Sequence, residues 1–453
     1  MRHERTGRWV RTGRVLIRTR RARRDADAGA ILRVLARGSD LAVGLSVRGQ
    51  RMLLLLHPDL VGQLLVTHAA DTIKGLGIQR TRPLLGDGLL TSEGDDHRRA
   101  RRLVAPAFSP RRLTGYTTGF AERTEEHIGH WRDGQTTDMH EQMARLTLDI
   151  VGTTLLGVDL GADAGDVRAA LESALDTFAG SSATLLSPGS AGRRTRRATT
   201  PGPPVSVPRA SIHEIVEKII RGRAEHLSED RGDVVSALLG AAAQPDGLTP
   251  SEVHDHVITL LMAGHETTAT ALSWTMYLLG QHPAAERALH DELDQFGRKL
   301  PSFADLHGLS YTRAVITESM RLFPPAWIIG RTLTANADFA GWHATPGTIV
   351  GVSPLLLHHD PRWFPDPSAF DPRRWLDERR EAVPRHAYLP FGAGQRSCIG
   401  EQFAWAEATT ALAVICSRWS ARTEEGHLVR PQYRVTMRPG NGLPMRLHAR
   451  RPR

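Results

Sequence analysis

The sequence predicts a mainly α fold with small β-sheets, and three patterns carry that expectation. The stretch "LTPSEVHDHVITLLMAGHETTATALSWTMYLLGQHP" holds helical periodicity from Thr249 to about His282, more than thirty residues. Apolar residues also recur at helical spacing through most of the chain from Asp96 to about Gly240. Strand-like patterns are short by comparison: "LAVGLSVRGQRMLLLLHP" alternates about a turn at Arg48-Gly49, and "GTIVGVSPLLL" and the terminal "QYRVTMRP" are brief.

Taken in order, residues 26–37 read as a helix, followed by the hairpin and a short helix from Pro58 to Thr67. The helical region after Asp96 is interrupted by "LLSPGSAGRRTRRATTPGPPVSVP", Leu185 to Pro208, whose Pro, Gly, Ser and Arg content predicts a long mobile connection. Helical pattern resumes directly beyond it, so no domain boundary is required there. The long helix has the clearest ends. Thr249 can cap it, Pro250 suits its first position, Glu252 completes a capping box and Pro283 stops it. A helix of that length must cross the middle of the protein, yet its centre, "AGHETTAT", is small and polar where a core helix should be apolar. Further helices follow, then an irregular Pro-rich stretch from Asp360 to Trp375, the loop "FGAGQRSCIG" (Phe391 to Gly400), a last helix and the terminal β-like segment. There is no internal repeat.

Composition excludes several function classes. With 453 residues, 40% hydrophobic and 24% charged, the chain reads as an ordinary soluble globular protein. Its net charge of +9 suggests a polyanion partner until it is located. Residues 1–24 hold ten arginines and one glutamate, so this tail carries the whole excess and the body nets to zero. Nucleic-acid binding by the body has no support, and the tail is expected to be a solvated, flexible extension. The tail's apolar "VLI" is too short for a signal peptide, and no run reaches the eighteen or so apolar residues a bilayer span needs. Two cysteines in so long a chain point to a reducing compartment. Eighteen residues of helix would part Cys398 and Cys416 by roughly 27 Å, against the 7 Å or so that a disulfide tolerates. Cys416, in "ATTALAVICSRW", is then a core thiol, and Cys398 needs its own explanation.

Common catalytic patterns fail one by one. "HETTA" starts like a zinc-protease helix, but the second histidine would fall at Ala269. "GAGQRS" starts like a dinucleotide loop, but Ser397 replaces the third glycine. Neither GxxxxGK[ST] nor GxSxG occurs.

Four other stretches fit one scheme: "FGAGQRSCIG" running into "EQFAWAE", Glu318 and Arg321 of "ITESMRLFPP", "FDPRRW", and "AGHETT". Together, in the family's order and spacing along the chain, they resemble the cytochrome P-450 family of haem-thiolate monooxygenases. The family's cysteine motif, FxxGxRxCxG, is met at Phe391, Gly394, Arg396, Cys398 and Gly400. The resemblance runs from about residue 26 to the end, although the proline-rich lead-in common in the family is missing. It implies a basic tail over 1–25 and one haem-thiolate domain over 26–453, with the long helix lying over the haem.

The resemblance also implies roles. Cys398 would be the axial thiolate of haem b, and such a ligand pushes electron density onto the iron. Glycines that turn backbone N–H groups toward the sulfur, and the N-terminus of the following helix, would keep it anionic. Phe391 would pack near the sulfur, and Arg396 would reach a propionate together with His97, Arg101 and Arg331. Ala263 and Thr267, four apart, share a helix face with Gly264 and Thr268 beside them. Small residues there let a flat cofactor approach, and a Thr267 hydroxyl turned to the Ala263 carbonyl would open a groove. Glu266 and Thr267 would deliver protons, since activating O2 takes two electrons and two protons. Glu318, Arg321 and Arg374 would form a structural ion-pair network that holds the cysteine loop.

The implied activity is oxidation of an apolar small molecule, a terpenoid, polyketide or fatty compound, with "PPAWIIGR" resembling bacterial terpene oxidases. The pocket would be lined by Thr72 to Leu90, parts of Leu185 to Pro208, Leu261 to Thr267 and residues 326–329. Electrons would come from a separate ferredoxin or flavodoxin and its reductase. Arg98, Arg99 and Arg102 are either a docking face for that acidic partner or ordinary solvated arginines. A cytoplasmic monomer without membrane anchor or nucleic-acid partner completes the expectation. A peroxide-driven or non-oxygenating haem-thiolate enzyme and a non-catalytic carrier of apolar ligands are the alternatives; neither requires the acid-alcohol pair.

Overall fold

The computed structural model describes residues 10–11, 27–47, 50–79, 81–160, 165, 167–171, 209–225, 232–297, 299–376 and 378–450. The segment Leu185 to Pro208 and the turn at Arg48-Gly49 lie outside them. Of the basic tail only Val10–Arg11 (β1) is described, and it adds a parallel edge strand to Leu45–Ser46.

Helix α1 (Ala28–Ala36) begins where the Asp27 side chain accepts the Ala30 N–H at 2.8 Å. The hairpin β2 (Ala42–Val47) and β3 (Gln50–Leu55) follows as read. After it Pro58–Gly62 is helical and continues as a π-turn over Gln63–Thr67. β4 (Thr72–Lys74) precedes α2 (Gly94–Val104) and α3 (Pro110–Ile128). β5 (Thr136–Asp138) then leads into α4 (Met139–Ile150), which also ends in a π-turn, Val151–Leu155. α5 (Arg209–Ala224) and α6 (Val234–Ala242) precede the long helix α7 (Pro250–Gln281).

α7 has the ends its sequence requires: the Thr249–Glu252 capping box is present, with Pro250 at the first turn. Behind it come α8 (Pro283–Phe296) and α9 (Ser310–Leu322), then β6 (Ile329–Leu333), β7 (Ala337–Phe339), β8 (Trp342–Ala344) and β9 (Ile349–Val352). The cysteine loop opens onto α10 (Glu401–Arg418). β10 (Trp419–Thr423), β11 (Arg430–Tyr433), β12 (Met437–Gly440) and β13 (Pro444–Ala449) close the described chain.

The main sheet has the order β1-β2-β3-β9-β6-β4, and a second runs β10-β13-β5. The largest apolar core gathers around α7, with α4 and α9 packed along it and α10 along α3. Cys416 is buried in this core, its sulfur 3.9 Å from that of Met276, and both cysteines are free. Among the described residues no helix is long and apolar enough to cross a membrane.

Candidate functional site

Glycine geometry shapes the Cys398 loop. Gly392 and Gly394 lie in the left-handed region at φ +70° and +72°, and a Cβ on Gly394 would stand 1.9 Å from the Leu65 carbonyl oxygen. The loop closes when the Cys398 N–H donates to the Phe391 carbonyl at 2.9 Å. Phe391 packs against Trp405, ring centres 5.6 Å apart. Gly400 differs, because its φ of −89° suits any residue. A Cβ there would find nothing nearer than Phe108 at 3.8 Å and the Cys398 sulfur at 4.0 Å, so the protein leaves room beside the thiol.

Burial pushes the Cys398 thiol up, while the Gly400 N–H, Arg101 and Lys74 pull it down. The loop's N–H groups therefore do not by themselves keep the sulfur anionic, which corrects the sequence expectation. A bound cation would, since a coordinating thiol is deprotonated outright. The side chain is also exposed, so this desolvated sulfur opens onto an internal cleft.

Positive charge crowds the same cleft. On the antiparallel β4–β6 ladder Lys74 stands directly opposite Arg331, an arrangement that destabilises a sheet. Arg331 is 8% exposed, donates to its neighbour Gly330 at 2.9 Å and makes no ion pair among the described residues. Burial, reinforced by Arg331 and Arg396, lowers Lys74 to about 7. Burial and Arg396 lower Arg331 to about 10. His97, buried on α2, is held neutral at about 3 by desolvation together with Arg396, Lys74 and Arg101. Arg101 donates to the Ser397 carbonyl at 2.8 Å. Arg396 donates to the Ser92 carbonyl at 2.7 Å and pairs with Glu93, which also accepts the Lys74 backbone N–H and Gln79. Of the four cations Lys74, Arg101, Arg331 and Arg396, only Arg396 pairs with Glu93 among the described residues. A haem with two propionates would supply the missing negative charge, so the residues fit that cofactor.

The long helix passes this cleft with an exposed face. Ala263 and Thr267 are exposed although the residues beside them are mostly buried. The Thr267 hydroxyl donates to the Ala263 carbonyl at 2.8 Å, the back-bond expected from sequence. Gly264 serves a different purpose from Ala263: a Cβ on it would meet Val151 of the α4 π-turn at 3.2 Å. Its smallness lets α7 lie close to that turn. Glu266 is buried and accepts the Thr436 hydroxyl at 2.7 Å, with Arg438 Nη1 at 3.9 Å. Deeper still, Glu407 of α10 is wholly buried and its two oxygens lack hydrogen bonds of ordinary geometry. Burial pushes it up to about 8, moderated by the Thr268 hydroxyl nearby.

Glu318 and Arg321, both 0% exposed, form a bidentate pair at 2.8 Å on each arm. Arg374 lies 3.5 Å from Glu318, and the Trp375 indole donates to it at 2.7 Å. Arg321 also binds the carbonyls of His358, Pro367 and Ala369. His358, held neutral at about 3 by burial, accepts the Leu389 N–H at 2.9 Å. The network therefore fixes the chain two residues before Phe391. Breaking such a buried pair costs about 3–5 kcal/mol.

Several expectations move. Arg99 is committed to Glu252 and the Gly247 carbonyl, and Arg98 pairs with Asp95, which leaves Arg102 as the exposed arginine of the three with no ion pair among the described residues. Trp327 turns away from the pocket expected of residues 326–329: its indole donates to the Arg434 carbonyl at 2.9 Å, and its ring meets Tyr433. Ile328, next along the chain and just before β6, is exposed. Lys74, Glu93, Thr436 and Arg438 lie outside the motifs, and Glu407 closes "EQFAWAE" with no role assigned by its position there. Only the like-charge ladder pair exposes the first of them.

Comparison with known proteins agrees with this geometry. The chain matches the family Cytochrome P450 over residues 30–443. It is 39% identical to Cyclooctatin synthase of Streptomyces melanosporofaciens, over 85% of this chain and 83% of that one. It is 40% identical to Cyclooctat-9-en-7-ol 5-monooxygenase of the same organism, over 83% and 81%. Pentalenene oxygenase of Streptomyces avermitilis is 35% identical over 87% of each. The crystal structure of the cytochrome P450DA heme domain superposes with a TM-score of 0.82 at 26% identity, covering 94% of both chains.

Proposed function

The chain belongs to the cytochrome P450 family and is a haem-thiolate monooxygenase, and from that premise we propose that its substrate is a carbocyclic terpenoid. The observation that carries the site is the cluster of Lys74, Arg101, Arg331 and Arg396, with only Arg396 paired to a carboxylate among the described residues, beside the Cys398 thiol. Relatives named for cyclooctatin, cyclooctat-9-en-7-ol and pentalenene support the substrate class, as does the exposed Ile328.

Cys398 would hold the iron of haem b, and the bound group would supply O2 activation and O–O cleavage. His97, Arg101, Arg331, Arg396 and Lys74 would bind its carboxylates, Phe391 and Gly400 pack beside the sulfur, Ala263 lets the long helix approach the cofactor, and Gly264 seats that helix against the π-turn at Val151. Thr267 holds its hydroxyl over the cleft and passes protons inward, drawing them from Glu266. Glu318, Arg321 and Arg374 position the cysteine loop and touch no reacting atom. Electrons come from redox partners, a separate ferredoxin or flavodoxin with its reductase. The enzyme works as a monomer in the cytoplasm.

The test is a binding screen of cyclic terpene alkenes and alcohols, read as the blue shift of the haem Soret band when a ligand displaces water. Cyclic terpenes should shift it at micromolar concentration, and fatty acids of equal size should do so only at far higher concentration. The reverse order would replace the terpenoid reading with a fatty one.

A further inference from the structure

Glu266 cannot share Thr267's outlook, because neighbouring positions on a helix lie about 100° apart. The side chain instead meets the hairpin formed by β11 and β12. That hairpin is pinned to the core at several points. The Trp274 indole of α7 donates to the Met437 carbonyl at 2.7 Å, the Met437 N–H donates to the Pro325 carbonyl at 3.0 Å, and Trp327 donates to the Arg434 carbonyl. The Thr436 hydroxyl, 3% exposed, is therefore delivered to Glu266 by a fixed backbone. Arg438 approaches the same carboxylate oxygen and reaches outward to Gln432, an exposed residue, at 3.5 Å. Its positive field also extends to His140, which burial has already lowered to about 4.

We propose that Thr436 and Arg438 are positioning residues for proton delivery: they anchor one oxygen of Glu266 and connect it to solvent along the β11–β12 hairpin. Glu266 takes one proton from water on the Arg438 side and gives it to the Thr267 hydroxyl, which releases its own proton into the cleft. Both groups end as they began. Val435, packed between Arg434 and Thr436 against the main core, ties this anchor to the wall of the pocket. The inference rests on the proton-relay role given to Glu266 and Thr267 above.

The test compares Glu266→Gln, Thr267→Ala, Thr436→Val, Thr436→Ser and Arg438→Gln in haem-loaded full-length protein. One readout is the peroxide released per electron pair drawn from a ferredoxin system, with cyclooctat-9-en-7-ol as the probe. The other is the pH titration of the Glu266 carboxyl infrared band, assigned by its loss in Glu266→Gln and readable without turnover. Thr436→Val should raise peroxide several-fold and Thr436→Ser should restore coupling. Arg438→Gln should move both the band and the pH profile of coupling upward by about one unit, since the nearby cation favours the ionised form. If Glu266→Gln and Thr267→Ala leave coupling unchanged, the relay itself falls. If those two uncouple the enzyme while the Thr436 and Arg438 variants match wild type in both readouts, only the hairpin's role is overturned.

Discussion

Glu407 shows how much a single buried group can set. It is wholly buried, and its pKa is driven to about 8 by desolvation, so it is mainly neutral near pH 7. Between its ordinary value near 4.5 and that raised one, the folded protein keeps a proton that the unfolded chain releases. Stability must then fall as pH rises across this window and level off above it. Glu407→Gln removes the titration while keeping shape and polarity. Thermal melts of wild type and variant between pH 5 and 9 should show a declining difference curve, with the variant gaining relative to wild type as pH rises. A pH-independent difference would mean that Glu407 is ionised in the fold. Nothing in the local pattern marks this carboxyl. It sits in "EQFAWAE" as one acid among apolar residues, and only the packing of α10 shows that it never meets water. Cys398, by contrast, was legible from its motif, but the direction of its shift was not: the glycine donors are real, and burial outweighs them.

At the scale of elements, β4 and β6 hold a conflict. Placing Lys74 opposite Arg331 costs stability in the sheet, and the cleft beside them returns it only when an anion is bound. Lys74→Gln should therefore pull in two directions. The haem-free protein should unfold at higher urea than wild type, while haem should leave the loaded variant several-fold faster for apomyoglobin. A variant weakened in both respects would make Lys74 an ordinary structural residue. Sequence reading placed Arg331 at this site through its motif position, yet treated Thr72 to Leu90 as apolar lining. A three-residue strand offers no period to read, and its partner lies more than 250 positions away. The same limit hid β5, β7 and β8. The long helix was legible to its last turn because its caps are local: Thr249, Pro250 and Glu252 need no knowledge of the rest of the chain. Trp327 was misread for a related reason. It precedes β6, outside any strand period, and only the distant carbonyl of Arg434 shows where the indole goes.

For the whole molecule, α7 supplies the organising axis. The cleft is bounded on one side by its small, exposed residues and on the other by the loop that Arg321, His358 and Leu389 hold in place. Fold and family were legible because four local motifs keep a fixed order along the chain. The links between them join positions far apart and had to be seen: Thr436 to Glu266, Arg396 to Glu93, Trp375 to Glu318. Net charge was legible as well, since its excess lies in the tail, of which Val10–Arg11 adds an edge to the main sheet. All of this converges on one sulfur facing a haem. The most direct test is the carbon monoxide difference spectrum of the reduced, haem-loaded protein and of its Cys398→Ser variant. The account predicts the red-shifted Soret band of a thiolate ligand in the wild type and its loss in the variant; a wild type without that band, or a variant that retains it, would contradict the account.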